Sequence, residues 1–256
     1  MFDTLLSLLT PSQIVFAFAV TLVAGFVKGA TGFAMPMIMI SGLGSILAPE
    51  TALAGIIVST VLLNLWQSLR GGVAEAIAAA RLYRLYIVAL LVFIVLSAQL
   101  VVVLPQSVVF LSLGLIIVGL AAYLLIGRAL RISEGHRSFY DLGLGALSGL
   151  IGGISGIWGP LTIAYLTAAD TPKKQQIKIT GVIFGTGSLT LLFAHLRSGV
   201  LNPQTLTLSG TLFLPALVGM ALGQRVQDRL DQQKFKRATL IVLLLAGANL
   251  IRRGLV

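Results

Sequence analysis

The chain has 256 residues, of which 57% are hydrophobic and 10% charged, with a mean hydropathy of +1.01 and a formal net charge of +10. Soluble domains average about 25% charged and about 45–50% apolar residues, so a water-soluble enzyme, a disordered chain and a secreted disulfide scaffold are excluded. There is no cysteine, which removes thiolate metal sites and cysteine nucleophiles. The basic residues sit in short gaps between apolar runs, the pattern of membrane-flanking loops and not of a nucleic-acid face. An all-α polytopic membrane protein follows, with the lipid bilayer as its partner and no nucleic acid.

In chain order, Met1 to Pro11 hold Asp3 and no Lys or Arg, which is the wrong start for a cleavable signal. Two short apolar pieces, Ser12–Val27 and Phe33–Leu47, read as a hairpin over 12–47. Spans of roughly 20 apolar residues follow at 51–69, 82–104 and 108–126. Asp141–Ile151 and Ile157–Ala168 read as a second hairpin over 141–168, followed by spans at 177–196, 205–223 and 235–251. The last is lengthened by snorkelling Lys234, Lys236 and Arg237.

The two hairpins share a Gly-rich junction. Gly25, Gly29, Thr31, Gly32 and Pro36 superpose on Gly149, Gly153, Ser155, Gly156 and Pro160 at a single shift of 124. An internal duplication is therefore expected, with halves at 1–132 and 137–256, each a re-entrant hairpin plus three spans. Bare backbone at such a tip is tolerated only where protein buries it or it lines a wet cavity. Three crossings per half make the repeats inverted, as in many secondary transporters. Of the 18 Lys and Arg, 14 fall on one side of this scheme and three (Arg197, Arg252, Arg253) on the other. The positive-inside rule then places both termini in the periplasm and the protein in the inner membrane. Trp66, Tyr83 and Tyr86 fall near the cytoplasmic boundary, where aromatic belts sit.

Lys28 is the one basic residue deep inside an apolar stretch. All eight acidic residues lie in loops or at helix ends in this reading, so no membrane-embedded carboxylate is expected to pair with it. A cation placed so marks a pathway or a partner, and a small anionic substrate fits. The tips fit the same chemistry: amides around Gly29, Gly32, Gly153 and Gly156, with hydroxyls from Thr31 and Ser155, would bind an oxyanion at the starts of helices opening near Phe33 and Ile157. Scattered glycines such as Gly114, Gly119 and Gly219 read as helix-packing positions. Asn64 and Thr186 are candidate wall residues of a central site, with Gln67 among the other polar positions; Trp158 either packs the second hairpin or covers the substrate. His195 reads as interfacial. No metal or cofactor site is indicated.

Two further classes compete with this reading. Gly153-Ile154-Ser155-Gly156 followed by His195 is the pair an intramembrane serine protease would use, yet Gly29-Ala30-Thr31-Gly32 repeats the string with no matching histidine. No G-x4-G-K-[ST] string occurs, which argues against a nucleotide-driven pump. A passive anion channel would share the site and lack gated turnover.

The paired strings K-G-A-T-G-F-A-M-P and G-G-I-S-G-I-W-G-P, with the basic mid-chain loop, resemble the sulfite exporter TauE/SafE family over essentially the whole chain. The resemblance implies a multi-pass inner-membrane protein of two related halves that moves sulfite, sulfoacetate or other organosulfur anions. It maps the family's tip positions to Gly29, Thr31, Gly32 and Pro36 and to Gly153, Ser155, Gly156 and Pro160. The sequence departs from the family's glycine triplets, with Lys28 and Trp158 beside the tips. The expected function is anion export by alternating access.

Overall fold

The computed structural model describes residues 8–69, 72–126, 136–169, 171, 173–226 and 231–255. Among them every regular element is a helix: α1 (Pro11–Thr31), α2 (Met35–Leu43), α3 (Pro49–Leu69), α4 (Val73–Leu82), α5 (Arg84–Ala98, extended by a 3-10 turn over Gln99–Val102), α6 (Gln106–Ile126), α7 (Arg137–Ser155), α8 (Gly159–Ala168), α9 (Lys173–Ser198), α10 (Pro203–Val226) and α11 (Gln232–Leu255). Seven of them are long and apolar enough to cross a membrane: α1, α3, α5 with its 3-10 turn, α6, and the greater parts of α9, α10 and α11. The all-helical polytopic fold expected from composition is what the chain adopts. Of the charged residues assigned to loops, Asp3, Arg70, Arg128, Arg131, Glu134, Asp170, Asp228 and Arg229 lie outside the described residues.

Three boundaries differ from the sequence reading. The incoming arms of the hairpins are longer than expected, 21 residues for α1 and 19 for α7, against return arms of 9 and 10. At ~1.5 Å per residue the incoming helices run about 30 Å and the returns about half that, so α1 is itself long enough to span. The cause lies in packing. The glycines that lower helix propensity are held against neighbouring backbones: a Cβ on Gly145 or Gly149 of α7 would strike the carbonyls of Tyr86 or Leu90 in α5. The third difference is α4, read as loop. It is Ala-rich, with Glu75 in its first turn and Arg81 in its last, and buries none of its residues.

Helices pair through small residues. Along α1, Gly25 faces the Ala216 carbonyl and Gly29 the Met220 carbonyl of α10, while Gly219 and Gly223 of α10 face Leu22 and Phe26. On the other side α7 lies along α5 in the same way, with Gly153 against Ile94 and Ser97. The α6–α11 pair closes over Gly114, Gly247 and Gly254, while α3 packs on α9 and α10. At the far end Arg253 of α11 donates to the carbonyls of Gly44 and Leu47, just past the end of α2, and its guanidinium lies 4.3 Å over the Phe110 ring.

Candidate functional site

Both hairpin corners are built alike. In the first, Thr31 Oγ1 donates back to the Val27 carbonyl at 2.8 Å, and Gly32 takes φ +83 as the left-handed cap, its N–H bonding the Lys28 carbonyl. In the second, Ser155 Oγ donates to the Ile151 carbonyl at 2.6 Å and Gly156 caps at φ +70, its N–H bonding Gly152. Such a cap suits glycine, which has no Cβ to clash. Each hydroxyl then accepts the amide two residues on, Phe33 N–H at 3.4 Å and Ile157 N–H at 3.0 Å. Pro36 and Pro160 sit in the first turns of α2 and α8, where a missing N–H costs nothing. Those helices open at Met35 and Gly159, two residues later than expected. Ala34, just before α2, holds φ +73, a conformation unfavourable for a residue with a Cβ.

The corners meet around a narrow, partly open cavity. The first hairpin contributes Lys28, Phe33, Ala34, Pro36 and Met37, and the second contributes Gly156, Ile157, Trp158, Gly159 and Pro160; Asn64 of α3 and Phe184 of α9 complete the wall. Lys28 is buried, and its Nζ donates to Asn64 Oδ1 at 2.6 Å and to Gln67 Oε1 at 3.3 Å. Among the described residues no carboxylate lies within ion-pair distance of it. The walls are aromatic and aliphatic, with the N-terminal ends of two half-helices presented to the same space. A helix N-terminus carries partial positive charge, so cation and dipoles favour an anion there.

Not every expected site residue faces this cavity. Gly29 and Gly153 do not line it; the side a Cβ would take on each faces α10 and α5 and lets those helices approach. The hydroxyls of Thr31 and Ser155 spend their protons on backbone carbonyls. Thr186 donates within its own helix, to Val182 and Ile183, and does not line the cavity. Trp158 is buried, its ring slotted between Gly152 and Gly187 while its edge borders the cavity. Phe33 and Phe184 were not singled out in the sequence, where nothing distinguishes them from core aromatics.

Two buried polar clusters lie beside the site. His195, in the last turn of α9, is buried; its Nε2 is 3.0 Å from the Gly153 carbonyl and its Nδ1 3.2 Å from Ser198 Oγ. Ser155 and His195 thus take separate partners. Asp141, expected at a helix end, lies within α7 and is buried. Its Oδ1 accepts from Tyr165 at 2.6 Å, and the Tyr165 ring stacks on Tyr86 at 4.3 Å. Tyr86 in turn bonds Ser148 at 2.8 Å and Thr162 at 2.9 Å. Tyr83 and Tyr86 are therefore interior residues joining α5 to the second hairpin, and of the expected belt only Trp66 is exposed.

Residues 17–250 match the sequence model of the family described as Sulfite exporter TauE/SafE. No curated protein and no solved structure is significantly similar to the chain.

Proposed function

The chain belongs to the sulfite exporter TauE/SafE family, and from that membership we propose that it is a secondary transporter of small oxyanions, sulfite or organic sulfonates, binding at the Lys28 cavity. The observation that carries this is the Lys28 ammonium, buried where the two corners meet and held, among the described residues, by the amide oxygens of Asn64 and Gln67. A buried cation without a counter-ion is costly, and an anion entering the cavity would neutralise it. The openings of α2 and α8 would add their dipoles. Asn64 and Gln67 would position the ammonium, and Phe33, Trp158 and Phe184 would exclude water around the guest.

The mechanism we favour is alternating access by two inverted halves, 1–132 and 137–256, rocking about the cavity. Support comes from the way the partners exchange. The first incoming arm packs on α10 and the second on α5, which hold corresponding places in the two halves, while α3–α9 and α6–α11 pair like with like. In the inner membrane, with both termini periplasmic, an inside-negative potential of 100 mV drives a single negative charge outward by about 2.3 kcal/mol, which favours export.

The test is counterflow of labelled sulfite into proteoliposomes. Saturable counterflow that Lys28→Gln abolishes is the expected result. Flux that never saturates and follows voltage alone would mean a channel, and unchanged flux in Lys28→Gln would remove the cation from the mechanism.

A further inference from the structure

Several buried hydroxyls donate to a carbonyl one turn back, as Ser97, Ser155, Thr162 and Ser188 do, and Ser148 and Ser209 bond across to a neighbouring helix. Four of the described ones do neither. The Oγ atoms of Thr21, Ser41, Ser59 and Thr60 are buried and have no hydrogen-bond partner. A buried hydroxyl without a partner disfavours the fold, so a chain that is free to place valine or alanine there carries a cost with no structural return.

Three of the four lie on α1 and α3, ahead of Lys28 and Asn64 in each helix. Thr60 precedes Asn64 by one turn on the α3 face that also carries Ile56, the neighbour of Gly156 at the second corner. Thr21 precedes Lys28 by seven residues on α1, two turns and about 10 Å along the same face. Ser59 follows Gly55 by one turn on a face turned toward Leu43 of α2 and Leu212 of α10. Helices α1 and α3 each pack on both α2 and α10. All three therefore lie on the side of the Lys28–Asn64 contact from which α1 and α3 begin. Ser41, on α2, belongs to neither line.

We propose that Thr21, Ser59 and Thr60 form a second oxyanion-binding station, between the Lys28 cavity and the face at which α1 and α3 begin. Their hydroxyl protons are donors held ready for the oxygens of an anion leaving Lys28, and with no cation among them the anion is bound weakly enough to pass on. The proposal rests on the transporter reading above and adds the route to it.

The experiment compares Thr60→Val, Thr21→Val and Ser59→Ala with Thr60→Ser and Thr21→Ser in purified, reconstituted protein. Labelled sulfite counterflow, thermal unfolding and the thermal shift given by sulfite are read for each. The apolar variants are expected to lose about tenfold in flux, the loss of one hydrogen bond to a charged guest. They should unfold at or above the wild-type temperature and keep the sulfite shift, because the Lys28 cavity is intact. The serine variants keep their flux. Full flux in the apolar variants overturns the station, as does a flux loss that tracks a lowered unfolding temperature and that serine does not restore. Wild-type protein with neither sulfite counterflow nor a sulfite shift overturns the parent reading, and the station with it.

Discussion

Lys28 and Asn64 meet at 2.6 Å across the α1–α3 gap, and the same amide donates its Nδ2 proton to the Phe184 carbonyl of α9 at 3.4 Å. One side chain thus ties the buried cation to both walls of the cavity, and the two partners have unequal claims on stability. Lys28→Met removes a buried charge that has no counter-ion among the described residues and is expected to leave the unfolding temperature unchanged or raised. Asn64→Leu leaves the ammonium short of its nearest acceptor and should cost about 1–3 kcal/mol. Thermal unfolding in detergent orders the two, and a large loss in Lys28→Met alone would make Lys28 a structural residue.

The corner glycines should separate into two classes. Gly29→Ala and Gly153→Ala each drive a Cβ into a neighbouring backbone carbonyl, where nothing flexible can yield, and are expected to cost 3 kcal/mol or more, at the top of the range of about 1–3 for overpacking. Gly32→Ala meets no atom within 4 Å but must hold φ +83, a cost of about 1–2 kcal/mol. Gly32→Asn should be milder than Gly32→Ala, since asparagine tolerates that region. Yield and unfolding temperature read both series; equal losses at Gly29 and Gly32 would contradict the packing assignment.

Tyr165 is the donor that Asp141 depends on. Tyr165→Phe leaves the buried Oδ1 without its 2.6 Å bond and should destabilise by about 1.5–3 kcal/mol, the value of a bond to a charged group. Asp141→Asn keeps an acceptor for the phenol and carries no charge, so its loss should be smaller. Thermal unfolding of the two variants checks the order, and the reverse order would show that the carboxylate is satisfied from elsewhere.

The absence of cysteine makes the proposed orientation directly measurable. Gln204 opens α10 and Ala78 lies on α4, both exposed. Gln204→Cys is expected to react with an impermeant maleimide added to intact cells freed of their outer membrane, and Ala78→Cys only after lysis. The opposite labelling would invert the protein and turn the export argument around.

Much of the corner architecture was legible because it is local. Thr31 with Gly32 and Pro36, and Ser155 with Gly156 and Pro160, are turn chemistry written within six residues, and the same chemistry appears twice. What the letters do not carry is direction. Gly29 and Gly153 belong to the same strings, yet a glycine does not declare which side its missing Cβ faces, and here that side is α10 or α5. The Asp141 cluster was hidden for another reason: Tyr165 is 24 residues away and Tyr86 further still, so no window holds them together. Helix α4 went unread because its Ala-rich stretch has no apolar face to give a periodic signal.

The braces of the first hairpin have a consequence for how the protein is made. Its incoming arm is seated on α10, and the carbonyls past its return arm are held by Arg253 in the last turn of α11. During synthesis this hairpin leaves the ribosome before both of its supports. Until then Gly25 and Gly29 have only lipid or the insertion machinery to lean on. The cation-bearing wall is thus begun before its supports exist, which makes the arrival of α10 and α11 the step on which a working binding site depends.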